Sequence, residues 1–431
     1  MSGWPTRLLQ QARAQTFSSL AVRNYRLFFT GQLISVTGTW MQTVAQSFLV
    51  LQLTHSGSAL GLTTAARFAP MFLLSPWGGL IADRLDKRRL LYATQGLSAL
   101  LALAFGVLVG TDLIRMWSVY LLATLLGLVN VFDNPARQAM ISELVPREQL
   151  SNAVTLNSVT VNMARIFGAA IGGVVADLVG LALGFDLNAL SFLGVLVVLA
   201  MMRPSEMAPS APQLREPGQI RAGLRYAAAT PGLLVPLIMI AIVGALAWEF
   251  QVSLPLMAQR TFHGDAGTYG SMTAFMGVGA VVGGLFTASR RNPDARGLSV
   301  AAVGWGVAIT AAALAPTLPL EYAVLLFVGY GSISFNAVAK TTLQLTAAPV
   351  MRGRIMALWA LAWQGSTLVG GPIIGWISEE FGPRWSLLAG GLPTIAIGLL
   401  TLPVLSRVTR LARAADGGTG GSAVPRLGDA N

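Results

Sequence analysis

Long apolar runs separated by short polar turns make up most of this chain. Crossing a bilayer takes about 20 predominantly apolar residues. Runs of that length cover 27–52, 58–82, 90–110, 116–141, 149–176 and 181–201, then 232–257, 267–289, 298–316, 321–346, 352–377 and 385–405. The pattern predicts an all-α integral membrane protein with twelve transmembrane helices, six on each side of a polar break. That break, Arg203 to Arg225, holds Pro204, Pro209, Pro212 and Pro217 among Ser, Gln and charge, so it reads as a linker. The chain divides into an N-terminal segment (1–22), a first bundle (23–202), a cytoplasmic linker (203–230), a second bundle (231–406) and a Gly-rich disordered tail (407–431).

Composition fits this reading. Apolar residues make up 54% and charged residues only 11%, with a mean hydropathy of +0.63, whereas soluble domains carry roughly 25% charge. The net charge of +11 lies in turns between apolar runs, which fits orientation in a membrane better than binding to nucleic acid. With both termini cytoplasmic, the inner segments hold Arg7, Arg13, Arg23, Arg26, the Arg84 to Arg89 cluster, Arg147, Arg290, Arg291, Arg296, Arg352 and Arg354. The outer turns hold Arg115, Arg260 and Arg384. This places a multi-pass protein in the cytoplasmic (inner) membrane. The N-terminus shows no removable signal peptide. Trp4, Leu8 and Phe17 fit either a short surface helix or a polar tail.

The absence of cysteine excludes disulfides and thiolate chemistry. His55 and His263 fall in outer turns without metal-ligand spacing, and there is no phosphate-binding loop. No cofactor and no enzymatic chemistry are implied, and an ion gradient remains as the energy source.

The halves repeat. A shift of 203 residues aligns Phe132 with Phe335, Asp133 with Asn336, Arg137 with Lys340, Pro146 with Pro349, Gly168 with Gly371 and Gly172 with Gly375. The turn between spans two and three reads Gly78-Gly79-Leu80-Ile81-Ala82-Asp83-Arg84-Leu85-Asp86-Lys87-Arg88-Arg89. That Gly-x-x-x-Asp-Arg pattern followed by Arg-Arg resembles the corresponding loop of the major facilitator superfamily, with Asp86 where that family carries a second glycine. Asn24-Tyr25-Arg26-Leu27-Phe28 and Asp133-Asn134-Pro135-Ala136-Arg137 are similar to the branch that holds enterobactin-type siderophore exporters and macrolide efflux proteins. The resemblance covers about residues 20 to 405. It implies two pseudo-symmetric six-helix halves with a site between them, and a cytoplasmic latch that closes when the transporter faces outward. Carried onto this chain, the latch comprises Gly79, Asp83, Arg84, Arg88, Asp133 and Arg137, with Arg84 pairing with Asp133 and Asp83 meeting the start of span eleven near Arg352. The family's antiporters often carry Gly-Pro-x-x-Gly-Gly in span five. Here span five reads Gly168-Ala169-Ala170-Ile171-Gly172-Gly173, and the proline stands in span eleven as Pro372.

Ionisable groups inside spans are expensive, and each is a functional hypothesis. At ~1.5 Å per residue, Glu249 falls roughly 25 Å into the membrane, level with Arg165 and beyond Arg67. Two roles fit Glu249: neutralising one of these arginines, or carrying a proton. Asp133 is the other proton-coupling candidate, and its level toward the cytoplasmic end favours the latch. Gln46, Arg67, Asn130, Arg165, Lys340 and Gln364 are the candidate cavity residues, with Trp248, Trp359 and Trp363 as aromatic faces or as packing. The excess of basic groups favours an anionic substrate, unless Arg137 and Lys340 snorkel to the surface.

The sequence therefore predicts a monomeric secondary transporter, in contact with membrane lipids, that exports a small drug-like or siderophore-like molecule by proton antiport and alternating access. An importer of the same fold and a non-transporting sensor or assembly protein are the alternatives.

Overall fold

The computed structural model describes residues 17–208, 219–289 and 295–418, apart from a few side chains that include Asp83. Helices fall on every predicted run: α1 Arg23–Thr54, α2 Gly57–Arg84, α3 Lys87–Gly110, α4 Met116–Leu144, α5 Leu150–Leu178, α6 Leu181–Met201, α7 Pro231–Ala247, α8 Ala266–Ser289, α9 Ala295–Leu314, α10 Leu318–Thr346, α11 Arg352–Glu380 and α12 Pro383–Gly418. The seventh run is not one continuous helix. It stops at Ala247, resumes as Phe250–Leu256 and ends in a π-helical turn, Met257–Thr261.

Two further boundaries differ from the sequence reading. The linker holds a helix, Gln219–Ala228, and α12 runs on to Gly418 because its last turns are rich in helix-forming Leu, Ala and Arg. The surface-helix residues Trp4 and Leu8 lie outside the described residues.

Among the described residues, nine helices are long and apolar enough to cross a membrane by length and composition, and α1, α2 and α11 fall short. The shortfall in α1 has a clear source: Gln32, Ser35, Gln42, Thr43, Gln46 and Ser47 are all buried, turned toward protein instead of lipid. Outward-facing positions elsewhere, such as Leu100, Leu121, Leu190 and Phe327, are large, apolar and exposed.

The packing is that of two similar halves. In the first, α1 packs on α5 and α6, α2 on α4, and α3 on α4 and α6. In the second, α7 packs on α11 and α12, α8 on α10, and α9 on α10 and α12. The halves meet along two seams, α2 with α11 and α5 with α8, which exchange under the pseudo-twofold.

Small residues make the seams close. A Cβ on Gly57 would lie 2.6 Å from the Gly375 carbonyl oxygen, and one on Gly61 would overlap the Gly371 carbonyl. Across the other seam, a Cβ on Gly173 would lie 2.7 Å from the Ala266 carbonyl oxygen. Without side chains at these positions the backbones approach closely, the usual basis of tight helix packing in lipid. The glycines aligned by the 203-residue shift differ in contact. Gly371 and Gly375 face α2 of the other half, whereas Gly168 and Gly172 face Thr37 and Met41 of α1 in their own half.

Candidate functional site

We call the end of the bundle that carries the Arg84 to Arg89 turn the basic end, and the opposite one the far end. At the basic end the α2–α3 turn is built by local capping. Asp86 has φ −60° and ψ 118°, so the position needs no glycine, and its carboxylate accepts from the Arg89 N–H at 2.7 Å to cap α3. Arg88 turns away from that N-terminus and donates to the Leu199 and Ala200 carbonyls at 3.0 and 3.4 Å, at the end of α6 where a cation is favoured. Lys87 pairs with Glu143 of α4 at 3.5 Å. These contacts all stay within the first half. Gly79 is buried in the last turns of α2, and neighbouring Gly78 presses on Val131 of α4.

Asp133 lies 1% exposed between α3 and α4. One carboxylate oxygen accepts from Thr94 at 2.8 Å and Gln95 at 2.7 Å, and the other pairs with Arg137. The predicted Arg84 partner does not occupy it here: Arg84 is exposed, and the side chain of Asp83 lies outside the described residues.

The far end is arranged differently, because hydrogen bonds there cross between the halves. Asp177 of α5 accepts from the Gly267 N–H of α8 at 2.7 Å. Glu379 of α11 accepts from the Ser58 N–H at 2.8 Å and the Ser56 hydroxyl at 2.7 Å, at the start of α2. Arg260 donates to the His55 carbonyl. Each carboxylate satisfies free N–H groups at a helix start and meets the positive end of its dipole. Among the described residues, the hydrogen bonds between halves gather at this end. The two halves are thus held together by hydrogen bonds at the far end.

A void of about 50 Å³ lies between the halves, lined by Trp40, Arg165, Trp248, Phe250, Gln251, Leu254, Tyr269, Thr273, Met276 and Ser332. Of the predicted cavity residues it takes Arg165. Gln46 is buried with Oε1 unpartnered. Asn130 donates to the Leu126 carbonyl at 2.9 Å. Arg67 and Gln364 are half-buried, and Lys340 is exposed with its ammonium 5.4 Å from the Trp359 ring centroid. Trp248 packs against Trp363 at 4.3 Å and Trp305 at 5.6 Å between centroids, and Trp363 stacks on Trp359, so the three candidate tryptophans pack together and Trp248 is the one that lines the void.

Glu249 sits in the interruption of α7, with φ −81° and ψ 41°, and is 3% exposed. It pairs with no arginine among the described residues, contrary to the first of its two expected roles. Its Oε1 has no hydrogen-bond partner, Thr367 of α11 is its polar neighbour, and a Cβ on Gly371 would lie 3.7 Å from Oε2. The carboxyl therefore abuts the glycine crossing of α2 and α11. Interrupted helices near the middle of a membrane are where transporters of this architecture place binding and coupling groups.

Several residues escaped the sequence reading. Asp177 and Glu379 look like solvated helix-end charges until the partner half is in place. Glu321 is fully buried in the first turn of α10 with both carboxyl oxygens unpartnered, near Arg384. Ser151, Thr155, Ser158 and Asn162 recur at helical spacing on the face of α5 that carries the already predicted Arg165, a stripe that leads from the basic end to the void.

The family described as transmembrane secretion effector matches residues 14–416. The enterobactin exporter EntS of Escherichia coli O1:K1 / APEC is 25% identical over 391 residues, covering 90% of this chain and 92% of the relative. The enterobactin exporter of Shigella dysenteriae serotype 1 is 25% identical over 386 residues, covering 88% and 91%. Among solved structures, the nucleoside transporter NupG superposes with a TM-score of 0.70 at 13% identity, covering 88% of this chain and 98% of that one. An inward-facing bacterial homologue of the human lysosomal transporter Spinster gives 0.67 at 15% identity, covering 90% and 96%.

Proposed function

We propose that this chain, which belongs to the transmembrane secretion effector family of major facilitator transporters, exports a small organic molecule across the cytoplasmic membrane in exchange for protons. In this reading the basic end is the cytoplasmic side, by the distribution of arginine, and the far-end hydrogen bonds hold the outer side shut while substrate enters from inside. Substrate enters between the halves and reaches the void at Arg165. The halves then rock about the α2–α11 and α5–α8 seams. Relatives named as enterobactin exporters support outward transport of a siderophore-like or drug-like molecule; in this reading the transporter is a monomer surrounded by lipid.

The observation that carries the coupling step is Glu249: a buried carboxyl at an interruption of α7, unpaired with any described cation, against the glycine crossing that holds two helices of opposite halves together. A charge there is costly to bury without a partner. Gaining or losing a proton therefore changes the free energy of the closed seam, which links the proton to the conformational change. Asp133 has both oxygens occupied and belongs with the cytoplasmic gate, where Gly79, Asp83, Arg84, Arg88 and Arg137 close the inner side in the outward-facing state.

Flux into inverted membrane vesicles tests this reading, using siderophores, macrolides and dyes with and without an imposed proton gradient. Gradient-driven uptake of one of them supports export. Flux that ignores the gradient, or none from folded protein, counts against it.

A further inference from the structure

We propose that Arg165 is the docking point for the anionic head of a planar aromatic substrate, an inference that rests on the export reading of the same site. A guanidinium stays charged in a protein, and burying it without a counter-charge is expensive. Arg165 nevertheless pairs with no acid among the described residues. Its Nε is buried without a hydrogen-bond partner, and its Nη2 donates to the neutral Asn162 amide oxygen at 3.3 Å. The asymmetry with Arg137 is informative: that arginine has Asp133, while Arg165 faces a void with donors to spare.

The walls supply the second half of the recognition. Trp40 from α1, Trp248 and Phe250 from the two sides of the α7 interruption and Tyr269 from α8 surround the same void as Arg165. Planar faces at several angles favour stacked or edge-on contact with another ring. Gly277 of α8 lets that helix pack closely on α5 beside the guanidinium, since a Cβ there would meet Ile166 at 2.5 Å and lie 3.7 Å from Nε. The void, about 50 Å³, admits the charged head of a molecule whose remainder extends beyond it along the α5 stripe. The approach is polar: Ser151, Thr155 and Ser158 are exposed along the α5 stripe below Arg165. The two seams then divide the work. Arg165 beside α8 takes the substrate's charge, and Glu249 beside α11 takes the proton.

Calorimetric titration of the purified full chain in nanodiscs tests this with three probes: benzoate, benzamide and cyclohexanecarboxylate. Benzoate is expected to bind at least tenfold more tightly than benzamide, which lacks the charge, and severalfold more tightly than cyclohexanecarboxylate, which lacks the ring. Arg165→Gln, checked for an unchanged melting temperature, should lose the benzoate-over-benzamide preference, and Arg165→Lys should retain part of it. Equal affinities for benzoate and benzamide, no binding of benzoate by folded wild-type protein, or an unchanged preference in Arg165→Gln would each overturn the assignment. Binding is read at equilibrium without flux, so the head-group site stands or falls separately from proton-coupled export.

Discussion

Asp177, in the last turn of α5, accepts a hydrogen bond at 2.7 Å from the backbone N–H of Gly267, in the first turn of α8. A carboxylate of one half thus caps a helix of the other, and Glu379 repeats the arrangement in reverse by capping the start of α2 at 2.8 Å from the Ser58 N–H. The pseudo-twofold therefore sets two matching clasps at the far end, the outer side in the proposed orientation. Both must open before substrate can leave, so Asp177→Ala and Glu379→Ala should each favour the outward-open state, and the double variant should do so more strongly. The chain contains no cysteine, so a Thr273→Cys background reports access to the void. External maleimide labelling should accelerate severalfold in the double variant. Unchanged labelling would show that the clasps do not hold the outer side shut.

The α2–α11 seam depends on having no side chain at Gly61, where a Cβ would overlap the Gly371 carbonyl. Gly61→Val should insert and fold yet retain less than about a tenth of wild-type flux, because separated backbones cannot re-form the closed outer state. Gly96→Val is the control, since nothing lies within 4 Å of a Cβ there. Equal flux from the two variants would remove the seam from the transport cycle.

Asp133 satisfies three donors from a buried position. Removing one partner of a buried ion pair typically costs about 3 to 5 kcal/mol. Asp133→Ala should therefore melt well below wild type in detergent, whereas Arg84→Ala, at an exposed site, should change stability by no more than about 0.5 kcal/mol. A similar loss from both would mean that Arg84 already engages Asp133 in this state.

Asp265, in the far-end turn before α8, accepts from the Thr268 N–H at 2.9 Å and from its hydroxyl at 3.0 Å. The backbone donor, with the hydroxyl behind it, holds this carboxyl below its ordinary range. A depressed folded-state value means that the cap adds stability above the ordinary carboxylate range and loses it as pH falls through the lowered value. The melting-temperature advantage of wild type over Asp265→Ala should therefore be full near neutrality and shrink below about pH 4. A constant difference across that range would show that the charge plays no part.

The helices were legible because each apolar run is long and bounded by charge or proline, and the arginine bias supplied a direction. The interruption at Glu249 was not legible, because Leu246-Ala247-Trp248-Glu249-Phe250 holds no glycine or proline at the break. The clasps were hidden for another reason. Asp177 and Glu379 stand at helix ends, where a carboxylate is ordinary, and only the packing of the two halves supplies their partners. The α5 stripe leading to Arg165 was missed, although its helical spacing is the signal that carries it. The shift of 203 residues matched Gly168 with Gly371, yet sequence identity in a repeat does not fix which neighbour a glycine faces.

The most direct test of coupling is Glu249→Gln in inverted vesicles, measured both as flux driven by an imposed proton gradient and as substrate exchange at equal pH. Loss of gradient-driven uptake with exchange retained is the predicted result, since the substrate site at Arg165 and the rocking seams remain while the proton has no carrier. Gradient-driven uptake that matches wild type would contradict the account and remove Glu249 from the coupling step.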